Sequence, residues 1–76
     1  MTNTINIGEL IRKELEKNER SMSWLADKVH CNRGNFSRIL TKHHIDCDLL
    51  LRISLILDCD FFTYYSAFIK EIKAKL

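Results

Sequence analysis

The 76-residue sequence predicts a single all-α domain, a bundle of five helices. Three observations carry that expectation. Proline is absent and only two glycines occur, so little in the chain breaks a helix. The hairpin dipeptides Asn-Gly and Asp-Gly are missing. Apolar residues recur at three- and four-residue steps in five stretches, each preceded by a polar residue able to cap a helix.

The first helix starts after Asn6, with Glu9 three residues on as in a capping box. Ile7, Leu10, Ile11 and Leu15 form its apolar face, and the polar run Asn18-Glu19-Arg20-Ser21 ends it. Ser21 caps a second helix, Met22 to Val29, with Trp24, Leu25, Ala26 and Val29 as its apolar positions. After a break at His30-Cys31, Asn32 caps a third helix, Arg33 to Leu40, which buries Phe36, Ile39 and Leu40. Thr41 to Ile45 reads as a polar loop. Asp46 then caps a fourth helix, Cys47 to Leu57, and Asp60 a fifth, from Phe61 to Lys75.

Residues 1–10 lack a basic stretch followed by an apolar one, and no apolar run approaches the ~20 residues that span a bilayer. Three cysteines, an odd number, fit a reducing cytoplasm better than a disulfide framework. The net charge is only +2, but it is concentrated. Between residues 33 and 44 stand Arg33, Arg38 and Lys42, with no acid and with His43 and His44 beside them. On either side bases and acids nearly balance. A local basic stripe points to a polyanion, or to a solvated helix face that lacks acids.

The segment Leu25-Ala26-Asp27-Lys28-Val29, then Asn32-Arg33-Gly34-Asn35-Phe36-Ser37-Arg38-Ile39, is two short helices about a turn. Ala26 sits where a bulky side chain would push them apart. This pattern resembles the helix-turn-helix of the Cro/C1-repressor (XRE) family, and the likeness extends over roughly residues 7–66, including Leu50, Ile53, Ser54, Leu57, Cys59 and Asp60. It implies a lambda-repressor-like five-helix bundle with the motif at about 22–40. Two positions depart from the family. His30 stands where glycine is usual at the turn, and Phe36 replaces a smaller aliphatic residue.

The resemblance implies sequence-specific binding of double-stranded DNA by a small bacterial or phage-type transcriptional regulator at the nucleoid. The second helix of such a motif enters the major groove. Arg33, Gly34, Asn35, Ser37 and Arg38 then face outward. Arg can bond guanine bidentately and Asn adenine, while Gly34 permits close approach. Thr41, Lys42 and His43 fall beyond, toward phosphates, and Ser21 and Ser23 open the preceding helix, whose free N–H groups suit a phosphate. Trp24 reads as a residue beside the core rather than a stacking platform.

Other chemistry has less support. Cys31, His43, His44, Cys47 and Cys59 come from separate segments without a Cys-x-x-Cys pair, so no metal or other cofactor is expected. No Gly-rich phosphate loop or nucleophile arrangement is present, and neither an enzymatic role nor a small-molecule substrate is expected.

The apolar stripe of the fourth helix is wider than one buried face needs. Leu50, Ile53, Ser54 and Leu57 share a face, with Leu51 and Leu55 on one side of it and Leu49 and Ile56 on the other. Only Asp48 and Arg52 clearly face water. Phe61, Phe62, Tyr65, Phe68, Ile69, Ile72 and Leu76 continue the excess along an extended fifth helix, opposite Lys70, Glu71, Lys73 and Lys75. This tail either folds back on its own domain or forms a homodimer interface. Leu51, Leu55, Phe68, Ile69 and Ile72 are the residues expected at that interface. The competing reading is a protein-interaction module on the same scaffold, an antitoxin or accessory protein, using the apolar surface of helices four and five.

Overall fold

Local capping sets four of the five helix starts. The computed structural model describes residues 5–42 and 45–76 and places among them α1 (Ile7–Lys17), α2 (Met22–Lys28), α3 (Arg33–Leu40), α4 (Cys47–Leu57) and α5 (Phe62–Lys75), with no strand. The side chains of Asn6, Ser21, Asn32 and Asp46 each accept the N–H three residues on, at 3.2, 3.0, 3.1 and 3.2 Å. Each satisfies one of the orphan donors of its helix and is worth roughly 1 kcal/mol. At α1 only the forward bond of the capping box forms. Asp60 differs from expectation. Its carboxylate accepts from Phe62 N–H, two residues on, at 3.0 Å, and the cap position passes to Phe61.

Three helices end without glycine in a turn that ordinarily favours it. Glu19, His30 and Asp58 take φ values of 55°, 57° and 51°. Each lies just past its helix, and the next residue's N–H reaches back five residues: Arg20 to Leu15, Cys31 to Ala26 and Cys59 to Ser54, at 2.9, 2.9 and 3.0 Å. This is the Schellman arrangement, which satisfies the last carbonyls at the expense of a left-handed residue. At His30 it preserves the turn geometry that the missing glycine put in question. At α2 it also shortens the helix, so that Val29 is its cap rather than its last residue.

The core draws Ile7, Ile11 and Leu15 from α1, Leu25 and Ala26 from α2, Phe36 and Leu40 from α3, and Leu49, Leu50, Ile53 and Leu57 from α4, with Val29 and Phe61 from the connections. Ala26 is buried, as a close α2–α3 approach requires. Phe36 is fully buried, so its extra volume is absorbed by the core. Ile39, expected inside, is only half-buried. Gly8 is inside for a reason of space, because a Cβ there would collide with the carbonyl group of Leu40. The α1 backbone therefore lies directly on the end of α3 and fixes its orientation.

The widths of α4 and α5 resolve differently along their length. On α4, Leu49 is buried and Ile56 half-buried, but Leu51 and Leu55 are 48% and 73% exposed. They join Asp48 and Arg52 in facing water. Arg52 pairs with Asp48 at 3.7 Å, and its Nη1 also donates to the Val29 carbonyl at 3.4 Å, closing the end of α2. On α5, Phe62 and Tyr65 pack on the core and Phe68 is half-buried, whereas Ile69, Ile72 and Leu76 are exposed. Only the first half of α5 folds back. The rest overhangs, which accounts for principal extents of 41 × 22 × 21 Å. No helix among the described residues is long and apolar enough to cross a membrane.

Candidate nucleic-acid interface

The turn between α2 and α3 orients everything at this surface. His30 in the left-handed region reverses the chain after α2, and Asn32 restarts it as α3. With Phe36 and Leu40 directed into the core and Ile39 packed at its edge, the remaining positions of α3 face out. Arg33, Gly34, Asn35, Ser37 and Arg38 are all exposed, as are Thr41 and Lys42 beyond the helix. The residues singled out on α3 are therefore all open to water, spread over roughly 200° of its circumference. No acid lies within α3 or between it and Lys42.

Gly34 has no internal justification of the kind Gly8 has. Among the described residues the only neighbour of a Cβ there would be Asn32 Oδ1 at 3.4 Å, an ordinary contact. Its φ is not in the left-handed region. Glycine inside a helix costs up to about 1 kcal/mol relative to alanine. No contact among the described residues calls for the bare backbone at this point, and it allows an external surface to approach α3 closely.

Two polar side chains on this face are tied together. Arg38 Nη2 donates to Asn35 Oδ1 at 3.0 Å. Asn35 Nδ2 points to Cys31 Sγ at 3.9 Å, a weak contact to a poor acceptor. Asn35 is thus held with its amide oriented, and Arg38 is drawn toward the start of α3. Sequence spacing alone puts these residues three apart on a helix, but the choice of partner follows from rotamers it does not reveal. Arg33 has no such partner among the described residues.

The flanking positions divide. The Thr41 hydroxyl donates to the Arg38 carbonyl at 2.6 Å, so its proton caps α3 and is not available to a phosphate oxygen. Lys42 is exposed without an ion-pair partner among the described residues. His43 lies outside the described residues. Ser21 is exposed but its oxygen accepts from Trp24 N–H, which leaves its proton for an outside acceptor; Ser23 is half-buried. Trp24 packs beside the core as expected. The Arg20 guanidinium stands 4.7 Å from its ring centroid and the Lys28 ammonium 5.8 Å, so cations already occupy positions against the ring. The sequence places Arg20 in the run that ends α1 and Lys28 in the helix-turn-helix segment, and their positions four residues before and after Trp24 are the signal for this pairing.

The cysteines do not converge. Cys31, Cys47 and Cys59 are free thiols, and no three His, Cys, Asp or Glu side chains among the described residues come together as a metal site would require. Burial pushes the Cys59 thiol above its ordinary value, and the nearby Glu14 carboxylate adds to that. Burial likewise raises Tyr65, with a smaller contribution from Cys47. Both shifts keep these groups neutral at physiological pH.

Comparison of the chain with protein-family models, with curated proteins and with solved structures finds no match.

Proposed function

We propose that α3 is the recognition helix of a sequence-specific, double-stranded DNA-binding domain, and that the chain acts as a small transcriptional regulator of the bacterial or phage type. The observation that carries this reading is the outer face of α3. It presents Arg33, Asn35, Ser37 and Arg38 around a glycine that the packing of the described residues does not need. Arg33 suits a guanine edge and Asn35 an adenine edge, with Ser37 short enough to let the helix seat deeply. Lys42 and Ser21 suit phosphates, which position the helix without reading sequence. The resemblance to Cro/C1-type domains supports the same assignment, and the mechanism is occupancy of a site rather than catalysis.

Few cations line this surface, so a single copy binds weakly, and two linked copies raise the affinity through paired half-sites. The exposed apolar surface of α4 and α5 supports a homodimer. It also favours the second reading, an interaction module for another protein, because Leu51, Leu55 and Ile69 would be covered equally well by a different chain.

Selection from a random double-stranded DNA pool, at low and then physiological salt, tests the proposal. An enriched motif retained at physiological salt is the expected outcome, with half-sites about 10 base pairs apart for a dimer. Retention at low salt without enrichment reduces the surface to a charge attraction. No retention at either salt removes the DNA reading and leaves the interaction module.

A further inference from the structure

α4 and the α4–α5 turn enclose an open groove of about 560 Å³. Leu51 and Leu55 give it an apolar wall, Phe62 lies at its α5 end, and Asp58 and Asp60 stand on its rim. Neither acid has an ion-pair partner among the described residues. The overhanging half of α5 has the opposite character. At 100° per residue Ile69, Ile72 and Leu76 continue the stripe that Phe62 and Tyr65 begin, with Lys73 and Lys75 on its two edges, not opposite it as expected, and Lys70 beyond. Lys75 pairs with Glu71 at 3.7 Å, while Lys70 and Lys73 have no ion-pair partner among the described residues. The molecule thus carries an apolar groove with an acidic rim and an apolar ridge with basic edges.

The ridge cannot fill the groove of its own chain. α5 leaves the groove at Phe62 as one continuous helix. At 1.5 Å per residue, Ile69 and Leu76 are roughly 10 and 21 Å further along the helix axis. A second copy related by a two-fold axis has no such constraint. Its ridge can enter this groove while its own groove receives the ridge of the first copy, which is the self-complementarity that an isologous interface requires. We infer that the occupant of the α4–α5 groove is the C-terminal half of α5 from a second copy of this chain. The apolar stripe supplies the contact, and the lysines on the ridge face Asp58 and Asp60 on the rim. This specifies the dimer of the proposed function and rests on that part of it alone. Association is read without DNA, so its failure is separable from a failure of α3 to bind DNA.

Sedimentation of the full chain with two charge variants tests the arrangement. Leu55→Lys places a base in the groove, facing the ridge lysines. Ile69→Glu places an acid on the ridge, facing the rim aspartates. Leu55 and Ile69 are 73% and 56% exposed, so neither change enters the core. The native chain is expected to dimerise at about 100 μM, and each variant alone to raise the dissociation constant at least about tenfold. An equimolar mixture is expected to recover most of the native affinity, because each copy then meets an opposite charge or an unchanged surface. A native chain that stays monomeric at that concentration overturns the inference. So does an unaltered dimer of Leu55→Lys, or a mixture that stays apart. Should either variant lose its helical circular dichroism, the pair Asp58→Asn, Asp60→Asn decides instead. Asparagine keeps a residue tolerant of the left-handed region and a side-chain acceptor for Phe62 N–H. The native dimer is expected to weaken as salt rises, and this double variant to lose that dependence; an unchanged dependence contradicts the inference.

Discussion

The outer face of α3 and the outer face of α4–α5 are both open to water, yet they are built from opposite materials. Over α3 the exposed side chains are polar or basic, and at Gly34 there is no side chain at all. Over α4–α5 leucines and isoleucines stand exposed among polar residues such as Asp48 and Arg52, with Asp58 and Asp60 at one end and lysines at the other. The contrast separates two ways of leaving a surface incomplete. One bares donors and backbone for a polar edge; the other bares apolar area for a complementary shape. The two glycines make the same point at single positions, since Gly8 is required by the Leu40 carbonyl and Gly34 by none of the described residues.

The sharpest way to break this contrast is to strip the α3 face. Arg33→Ala with Arg38→Ala is expected to lower affinity for a selected duplex at least about 100-fold, since each lost base contact is worth ~1–3 kcal/mol. Fluorescence anisotropy measures the loss, and sedimentation should show association unchanged. A loss of association as well would mean that the two faces are not independent.

The glycines give the next effect, with opposite signs. Gly8→Ala should destabilise the fold by about 1–3 kcal/mol in urea, because backbone must move to admit the methyl group. Gly34→Ala should leave stability unchanged or raise it by up to about 1 kcal/mol, while weakening DNA binding. Smaller again are the left-handed positions. Glu19→Gly should stabilise by roughly 1 kcal/mol, and Asp58→Gly and His30→Gly by less, since Asp and His tolerate that region better than Glu.

The weakest effect is in pH. The Cys59 and Tyr65 pKa values are raised above their ordinary 9.0 and 10.0. Their neutral forms are therefore favoured by folding. The stability they contribute is complete below pH 9.0 and declines as pH rises through the folded values. Cys59→Ala should reduce the slope of stability against pH above pH 9 and leave the neutral range flat.

The helix starts were legible in the sequence because they are local. Asn6, Ser21, Asn32 and Asp46 each bond a group three residues away, and the apolar spacing follows directly after each. Asp60 departs by one position, since its side chain closes a two-residue turn instead, and nothing in its immediate neighbours distinguishes the two. The outward positions of α3 were legible for the same reason, given that Phe36 and Leu40 must be inside. What the sequence concealed depends on distant partners. The seat of Gly8 under Leu40, the bond from Arg52 to Val29 and the exposure of Leu51 and Leu55 all depend on how helices pack. Rotamer choice hid the Arg38–Asn35 pair and the use of the Thr41 proton. The left-handed turn at His30 was suggested by the family resemblance. Those at Glu19 and Asp58 had no glycine to announce them.

The assignment of DNA to the α3 face is tested most directly by amide chemical shifts of the labelled full chain as a selected duplex is added. The largest changes are expected on Arg33 to Lys42, with smaller ones at Ser21 to Ser23, all diminishing as salt rises. Shifts concentrated on Leu51 to Asp60 and the end of α5, with α3 unmoved, would contradict it.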